Sequence, residues 1–429
     1  MKAVVLGAYG LIGAACLREL EADGFDVVAV GRDAAAARRV MPDADWRIHD
    51  LASLEAAGWS ALVAGADVVV NASGALQDAG RDDLSAIHDS AVQRLVAALD
   101  GSRTRLVQIS AAGVTEDAPT AFFRTKARGD AAIMDSALDW VILRPTLVIG
   151  RAAYGGTALV RAAAALPVAL RFLPGVPVQC VALEDVAQAV VLAARGRVPG
   201  GTLADLTEPG SQDMPAVVAR FRAWLGLPPA RLALPVPGWM LTCVGVCADA
   251  LGRLGWRSPL RSNAVAAMRA GITGDPGPWA AAGGPPCRSL DDTLAALPSN
   301  VQERWFARSY VLFPLAIAVL SLFWLVSGLV GLWHWRAATE VLATRGVSPA
   351  LAPVPVIGGA LADIALGLAI LWRSWLRPAA LGMVALSLGY LGAGTMVTPD
   401  IWADPLGPFL KVLPGVVLAL WVAALAEDR

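Results

Sequence analysis

The feature that most constrains the fold is a series of long apolar stretches in the C-terminal part of the chain. They lie near residues 309–333, 354–372, 378–398 and 406–426. At 1.5 Å rise per residue, a helix of about 20 residues crosses a hydrocarbon core of roughly 30 Å. A buried helix of a globular protein accounts for one such stretch better than for four in succession. The sequence therefore predicts an all-α bundle of four transmembrane helices.

The charged residues divide the chain into two parts. Residues 1 to about 300 carry most of the charge, whereas 309–426 holds only nine Asp, Glu, Lys or Arg. A length of 429 residues also favours at least two folding units. We predict an α/β domain at 1–230, a Pro- and Gly-rich linker with one interfacial helix (roughly 238–256) at 231–303, and a membrane domain at 304–429.

Composition excludes some partners and favours others. Lys plus Arg (35) nearly cancels Asp plus Glu (36), so there is no electrostatic case for nucleic acid. Hydrophobic residues make up 56% of the chain, and its 15 Trp are typical of a protein that meets the interfaces of a lipid bilayer. The five scattered cysteines argue against a disulfide framework and for a reducing compartment.

Loop charges predict the orientation in the membrane. An even number of crossings places both termini on one side, and positive residues are enriched on the cytoplasmic side. The residues that decide the side are Arg304 and Arg308 before the first stretch, Arg373 and Arg377 in the second loop, and Asp400 and Asp404 in the last loop. We expect a multi-pass protein of the inner membrane, with the N-terminal domain and both termini in the cytoplasm.

The segment VVLGAYGLIGAACLREL at the start of the chain predicts a strand, a tight turn and a helix. Gly7, Gly10 and Gly13 give the spacing G-x-x-G-x-x-G. Glycines let the backbone N–H groups approach a pyrophosphate, whose charge is favoured at the N-terminus of the following helix. Close packing of helix on strand also needs glycines, but the position between strand and helix favours a dinucleotide site. We predict a Rossmann fold, a doubly wound parallel α/β sheet.

The end of the second predicted strand, FDVVAVGRD, indicates which dinucleotide binds. An acidic residue there would bind the ribose 2′-OH of NAD, but Gly31 stands in its place and Arg32 follows. A guanidinium can hold a 2′-phosphate through charge-assisted hydrogen bonds, although a solvated loop arginine has the same sequence signature. We expect NADPH to be preferred over NADH.

Further motifs resemble the extended and atypical short-chain dehydrogenases, including NmrA-like proteins and the accessory subunit of respiratory complex I. The resemblance covers about residues 1–230 and includes Asp50-Leu51, the N-A-x-G-like Asn71 to Gly74, the ISAAG segment at Ser110, LRPTLVIG and VALEDVAQAV. It implies a set of cofactor-binding residues: Gly7, Tyr9, Gly10, Leu11, Ile12, Gly13, Arg32, Asp50, Leu51, Asn71, Ala72, Ser73, Gly74, Ser110, Lys126, Arg144 and Pro145. The C-terminal part resembles DoxX-like membrane domains through WADPLGPFLKVLP (402–414) and the stretch that contains Asp363.

The family's proton relay is incomplete in this chain. The relay is usually a Tyr four residues before a Lys, with a Ser or Thr that holds the substrate carbonyl. Lys126 is present, but Phe122 stands where the Tyr would be, and a phenyl ring cannot donate a proton. Ser110 is the candidate hydroxyl, although Ala111 and Ala112 fill the positions where the family often carries it. We predict catalytic roles for Lys126 and Ser110. The missing tyrosine affects the prediction of catalytic turnover but leaves the prediction of cofactor binding intact.

The membrane domain contains one ionisable residue near the middle of a predicted helix, Asp363. Such a group is costly in lipid and usually faces protein. Lys411 lies at a similar predicted depth, so we predict that the two form a pair, with a proton or quinone-site role as the alternative. The predicted spans contain neither His nor Cys, which argues against haem or copper, and no metal site is predicted.

Two functions remain open after the sequence is read. The first is an NADP(H)-dependent oxidoreductase that acts on a quinone-like or lipophilic acceptor. Hydride transfer to a quinone could proceed without the tyrosine of the proton relay. The second is a non-catalytic NADP(H)-binding module that stabilises or regulates a membrane redox assembly. A regulated transporter has little support, because the spans show neither repeats nor broken-helix signals.

Overall fold

The computed structural model describes residues 1–75, 83–256 and 258–426. In chain order the strands are β1 (Lys2–Leu6), β2 (Asp26–Gly31), β3 (Asp45–Ile48), β4 (Val68–Asn71), β5 (Arg105–Ile109), β6 (Trp140–Pro145), β7 (Leu147–Ile149), β8 (Ala169–Arg171), β9 (Pro177–Val178), β10 (Cys180–Ala182), β11 (Thr202–Leu206), β12 (Gln212–Asp213) and β13 (Ala233–Pro235).

The helices are α1 (Leu11–Ala22), α2 (Ala34–Val40), α3 (Ala56–Val63), α4 (Ala91–Leu99), α5 (Ala121–Met134), α6 (Gly156–Ala165), α7 (Leu183–Ala194), α8 (Met214–Trp224), α9 (Gly238–Gly252), α10 (Ser262–Ala270), α11 (Gly277–Ala281), α12 (Leu290–Ala296), α13 (Val301–Trp333), α14 (Trp335–Thr344), α15 (Pro353–Ala369), α16 (Leu376–Val397) and α17 (Val412–Leu425). A π-helical turn, Ala86–Ser90, precedes α4 directly.

Seven parallel strands form the main sheet, in the order β11-β6-β5-β4-β1-β2-β3. The central strands are short runs rich in Val, Leu and Ile because helices cover both faces, and Val4, Val69 and Leu106 are fully buried. Strand order reverses at β1, which has β2 on one side and β4 on the other. In such sheets ligands bind in the crevice at the carboxyl ends of the strands where the order reverses. The predicted Rossmann fold is confirmed.

The first compact unit comprises Met1–Asp249 and Ser258–Ala307, so it extends well beyond residue 230. The segment predicted as a linker contains three further helices, and their side chains Trp279, Leu290 and Leu294 are buried. Glu208 ties this segment to the domain, since its carboxylate accepts from the Leu290 and Cys180 N–H groups, each at 2.8 Å. Proline and glycine at 271–286 thus mark tight turns within a folded unit and not a free linker.

Helix α9 corresponds in sequence to the helix predicted at roughly 238–256. It ends at Gly252, four residues before the predicted end. Its contacts with the first unit run along one side. A Cβ on Gly245 would lie 3.2 Å from Ser262 Cα, and the Asp249 carboxylate pairs with the Arg261 guanidinium at 2.9 Å. Most of its other side chains are exposed, including that of Trp239.

The second compact unit comprises Ala250–Arg257 and Arg308–Arg429, and all of its regular secondary structure in the described residues is helical. Two helices in the described chain are long and apolar enough to cross a membrane, Val301–Trp333 and Arg373–Val397. The helices near the second and fourth predicted spans, Pro353–Ala369 and Val412–Leu425, are shorter at 17 and 14 residues. Four spans therefore remain a prediction, whereas a helical C-terminal domain is confirmed.

Candidate functional site

The turn after β1 is built from glycines that leave no room for a side chain. Gly7 has a φ of +71°, and a Cβ there would lie 2.7 Å from Ser73 Cα and 2.8 Å from the Ala72 carbonyl oxygen. A Cβ on Gly13 would lie 2.2 Å from the Gly7 carbonyl oxygen. Helix α1, the turn and the loop after β4 thus approach one another at a distance that only glycine permits.

The N-terminus of α1 is suited to an anion. Gly10 is its N-cap residue and, as a glycine, has no side chain with which to cap the first-turn N–H groups of Leu11, Ile12 and Gly13. These groups and the helix dipole favour negative charge at this point. The turn therefore has the geometry that a dinucleotide pyrophosphate requires.

The loop after β4 is held by the buried side chain of Asn71. Its Nδ2 donates to Gln108 Oε1 at 2.8 Å, and its Oδ1 accepts from the Ser73 N–H at 3.2 Å and from Ser73 Oγ at 2.5 Å. These bonds fix Ala72 and Ser73 against Gly7. The glycine turn and the Asn71 to Gly74 motif, at least 58 residues apart in the chain, form one continuous cradle.

The end of β2 carries the residues expected to select the dinucleotide. A Cβ on Gly31 would lie 2.5 Å from the Tyr9 ring, so Gly31 also makes space for that ring, which packs near Trp46. Arg32 is exposed, and the Asp33 carboxylate that follows caps α2 by accepting from the Ala35 and Ala36 N–H groups. These hydrogen bonds lower the pKa of Asp33. The carboxylate next to Arg32 thus serves as the N-cap of α2.

Asp50 and Leu51 lie beyond the end of β3. Asp50 is exposed and its Oδ1 accepts from the Ala52 N–H at 3.2 Å, which forms a tight turn. Leu51 is 5% exposed and packs in the hydrophobic core on one face of the sheet, together with Val4 and Leu6. Asp50 is therefore the more accessible of these two predicted cofactor-binding residues.

Lys126 is buried on α5 and points to the crevice beside the loop after β4. Its Nζ donates to the Ile109 carbonyl oxygen at 3.0 Å and lies 5.8 Å from the centroid of the Phe122 ring. Burial lowers the pKa of Lys126, an effect that the nearby Asp130 carboxylate opposes. Phe122 occupies the position of the missing tyrosine, one helical turn before the lysine.

Asp130 is a residue of this site that the sequence reasoning missed. It is completely buried, and its Oδ2 accepts from Ser110 Oγ at 2.6 Å and from Arg144 Nη2 at 3.1 Å. Burial raises the pKa of Asp130. Its spacing of four residues from Lys126 places both on one face of α5, which is the sequence signal that could have found it.

Two predicted site residues therefore have internal partners. The Ser110 hydroxyl donates to Asp130, and Arg144 forms an ion pair with the same carboxylate. Pro145 ends β6, and its carbonyl oxygen accepts from the Ala112 N–H at 3.0 Å. Ala112 has no hydroxyl, and the Ser110 hydroxyl donates its proton to the buried Asp130 carboxylate.

His88 also belongs to this site and was not predicted. It is 3% exposed, its ring meets Phe122 edge to face at 5.4 Å, and its two nitrogens lie 3.2 Å from the Ala75 N–H nitrogen and 3.0 Å from Thr125 Oγ1. Burial, with a smaller contribution from the charge of Lys126, lowers the pKa of His88 to about 2. The imidazole is therefore neutral at ordinary pH.

The buried His88 should make the domain acid-sensitive. Its folded-state pKa lies below the unfolded value of about 6.5, so the unfolded chain takes up a proton that the folded chain does not. This contribution is complete above the unfolded pKa and is lost as pH falls. From about pH 7.5 to about pH 5.5, we expect the free energy of unfolding to fall by about 1.4 kcal/mol more than in His88→Gln. Denaturant titrations of both proteins at the two pH values measure this difference, and equal losses would contradict it.

In the helical unit, Asp363 does not pair with Lys411. Its Oδ2 accepts from Ser327 Oγ at 3.0 Å and its Oδ1 from the Tyr390 hydroxyl at 2.9 Å. Lys411 is exposed at the N-cap of α17, and no ion pair between it and Asp363 is found in the described residues. The predicted pair is wrong because similar depth along two helices does not make their side chains face each other. Asp363 instead joins α13, α15 and α16.

Comparison with known proteins gives a separate result for each part of the chain. Residues 7–194 match a family model described as NAD(P)H-binding, and residues 321–420 match the DoxX-like family. No curated protein matches the sequence significantly.

Three solved structures illustrate the similarity of fold. The enzyme WbmG of Bordetella bronchiseptica in complex with NAD has 16% sequence identity and a TM-score of 0.52, and the match covers 69% of this chain and 92% of that chain. The UDP-glucuronic acid 4-epimerase of Bacillus cereus in complex with UDP-glucuronic acid and NAD has 15% identity and a TM-score of 0.51, with 72% of this chain and 100% of that chain covered. The NADPH-dependent quinone oxidoreductase of Escherichia coli complexed with NADPH has 17% identity and a TM-score of 0.52, with 69% of this chain and 99% of that chain covered. At these identities the likeness concerns the fold.

The glycine cradle, the sheet order and the two family matches agree with each other and with the resemblance noted in the sequence. The chain combines an NAD(P)H-binding domain of Rossmann fold with a C-terminal DoxX-like domain.

Proposed function

We propose that this protein is a membrane-anchored NADP(H)-dependent oxidoreductase that reduces a quinone-like or other lipophilic acceptor. The observation that carries the proposal is the position of Lys126. Its ammonium lies beside the glycine cradle, within 3.8 Å of where a Cβ on Gly74 would be, and a phenyl ring replaces the usual acid. Bound NADPH would supply a hydride, and the chain's residues would hold the cofactor.

The lack of a tyrosine hydroxyl at position 122 favours an acceptor that needs no proton from that position. Within the described residues around Lys126, His88 is neutral, the Ser110 proton is held by Asp130, and Phe122 has no proton to give. Reduction of a simple ketone requires a proton at the carbonyl oxygen as the hydride arrives. A quinone accepts a hydride at a lower intrinsic barrier, and the one proton that completes the hydroquinone can come from water.

Simple alcohols and sugar nucleotides should therefore not be oxidised with NADP⁺. Phe122→Tyr should not create such a dehydrogenase, because Ala112 still leaves the substrate carbonyl without a hydroxyl partner and positioning accounts for several kcal/mol of such barriers. Steady-state assays on a panel of alcohols, with both proteins, test this. Robust turnover by the natural chain would contradict it and would point to another acid, with the exposed Tyr154 as first candidate.

Preference for NADPH rests on the end of β2. Gly31 offers no carboxylate to repel a 2′-phosphate, Arg32 is exposed beside it, and Asp33 is used as a helix cap. We expect Arg32→Glu to reverse the preference, weakening NADPH by about 10- to 100-fold, since one charge-assisted contact contributes about 1.5–3 kcal/mol. Calorimetric titration of both cofactors measures the reversal. Equal dissociation constants for NADPH and NADH in the natural chain would contradict the proposal.

The apolar helices of the C-terminal domain support the proposal of membrane anchoring. An ion pair between Arg345 and Asp400 supports the arrangement of four spans. With four crossings, the first and third loops lie on the same side of the bilayer. Arg345 follows α14 in the first loop and forms a two-bond ion pair with Asp400 in the third. We propose that the N-terminal domain and both termini are cytoplasmic, as the positive residues near the spans favour. Protease accessibility of the two termini in right-side-out vesicles tests this orientation.

The assay that tests the main proposal is the oxidation of NADPH by purified protein in detergent when a soluble quinone is added. The proposal predicts quinone-dependent loss of absorbance at the nicotinamide band, abolished by changes in the glycine cradle. A non-catalytic module that binds NADP(H) is the second candidate, and the internal pairing of Ser110, Asp130 and Arg144 favours it. NADPH binding without oxidation by any quinone would support that candidate.

A further inference from the structure

The hydrogen bonds of His88 define one tautomer of its ring. A backbone amide can only donate, so Nε2 accepts from the Ala75 N–H at 3.2 Å. Nδ1 therefore carries the ring proton and donates to Thr125 Oγ1 at 3.0 Å, while the Thr125 hydroxyl donates to the Phe122 carbonyl oxygen at 3.1 Å. The neutral imidazole thus links the loop after β4 to helix α5.

This link fixes the distance between a loop backbone and the buried ammonium. A Cβ on Gly74 would lie 3.0 Å from His88 Nε2 and 3.8 Å from Lys126 Nζ, so the Gly74 backbone lies beside both groups. Lys126 is held from the other side by the Ile109 carbonyl oxygen. Neither group can move far without losing a hydrogen bond.

The position of Gly74 and Lys126 in the fold indicates whether the adenosine half or the nicotinamide half of a dinucleotide would bind beside them. In Rossmann folds the pyrophosphate binds at the N-terminus of the first helix and the adenosine beside the second strand, which places them here at α1 and β2. The carboxyl ends of β4 and β5 lie on the other side of β1, where the loop at Gly74 and Lys126 are found. The nicotinamide ribose therefore belongs beside Gly74 and Lys126.

We propose that His88 is a positioning residue for the nicotinamide half of the cofactor. It holds the backbone of Gly74 and Ala75 at the distance from Lys126 at which loop and ammonium bind the nicotinamide ribose together. The inference rests on the proposed NADP(H) function. It assigns His88 no role in proton transfer, because both of its ring nitrogens are already engaged.

The test compares two ligands, NADPH and adenosine 2′,5′-bisphosphate, which carries only the adenosine half. For His88→Leu in the full chain, we expect NADPH to bind about 10-fold more weakly, as one lost hydrogen-bonded contact of about 1.4 kcal/mol implies, with the bisphosphate unchanged. His88→Gln retains a donor and an acceptor and should recover part of the affinity. Thr125→Val, which removes the acceptor of the Nδ1 proton together with the hydroxyl's hydrogen bond to the Phe122 carbonyl oxygen, provides a second variant of smaller structural change.

The fluorescence of bound NADPH reports the nicotinamide environment directly, so its emission maximum should move in His88→Leu and return in His88→Gln. The inference is overturned if His88→Leu and Thr125→Val bind NADPH as the natural chain does. It is also overturned if both ligands weaken equally, since that indicates a structural role only. A natural chain that binds neither ligand would refute the proposed function itself, which is a different result.

Discussion

Replacing Gly7 by alanine is expected to weaken NADPH binding by at least about 100-fold, which corresponds to about 2.7 kcal/mol. Two effects combine at this position. The φ of +71° is unfavourable for any residue with a Cβ, by about 1 kcal/mol or more. The added methyl would also meet Ser73 Cα at 2.7 Å and the Ala72 carbonyl oxygen at 2.8 Å, which are backbone atoms that cannot rotate away. The cradle must therefore open, and calorimetric titration measures the loss.

Gly24 offers a matched control for this change. It has a similar φ of +82°, but a Cβ there would have nothing within 4 Å. Gly24→Ala should lower thermal stability by the backbone effect alone and leave the NADPH dissociation constant unchanged. If Gly7→Ala bound NADPH as tightly as Gly24→Ala, the cradle would not be the cofactor site.

In the helical domain, we expect Asp363→Asn and Tyr390→Phe to be strongly coupled. The Tyr390 hydroxyl donates to Asp363 Oδ1 at 2.9 Å, and hydrogen bonds to charged groups contribute about 1.5–3 kcal/mol. The loss in the double variant should then be smaller than the sum of the single losses by about that amount. Unfolding titrations in mixed micelles give the four free energies of this cycle.

Lys411→Ala is the control for the same cycle. Because Lys411 is exposed at the start of α17 and has no ion pair with Asp363 among the described residues, its effect should add to that of Asp363→Asn within about 0.5 kcal/mol. Strong coupling of Asp363 to Lys411 and none to Tyr390 would contradict the arrangement of the three helices.

The sequence predicted those parts of the site that local patterns determine. Gly7 and Gly13 stand out in the sequence because a strand, a glycine turn and a helix follow one another directly, and the Rossmann fold that this pattern predicts is confirmed. The structure adds that the turn packs on the Asn71 to Gly74 motif, which no local pattern can reveal. The glycine turn follows β1 and the Asn71 to Gly74 motif follows β4. They form one cradle because β4 and β1 are neighbours in the sheet.

Residues that act through tertiary contacts were harder to predict. His88 lies in a π-helical turn and meets α5 only because β4 and β5 are neighbours in the sheet. In the helical domain, depth along a helix can be counted from sequence, but the direction a side chain faces depends on how the helices rotate against one another. Asp363 was therefore recognised as a partnered residue and given the wrong partner.

The most direct test of quinone reduction is a single-turnover experiment with NADPH deuterated at the transferable position of the nicotinamide and with a soluble quinone in excess. We expect quinone-dependent oxidation with a primary isotope effect from the deuterated cofactor and no appreciable effect of deuterated solvent, because hydride transfer to a quinone does not require a proton in the same step. A protein that binds NADPH but does not oxidise it with any quinone would contradict the proposed function, as would a large solvent isotope effect.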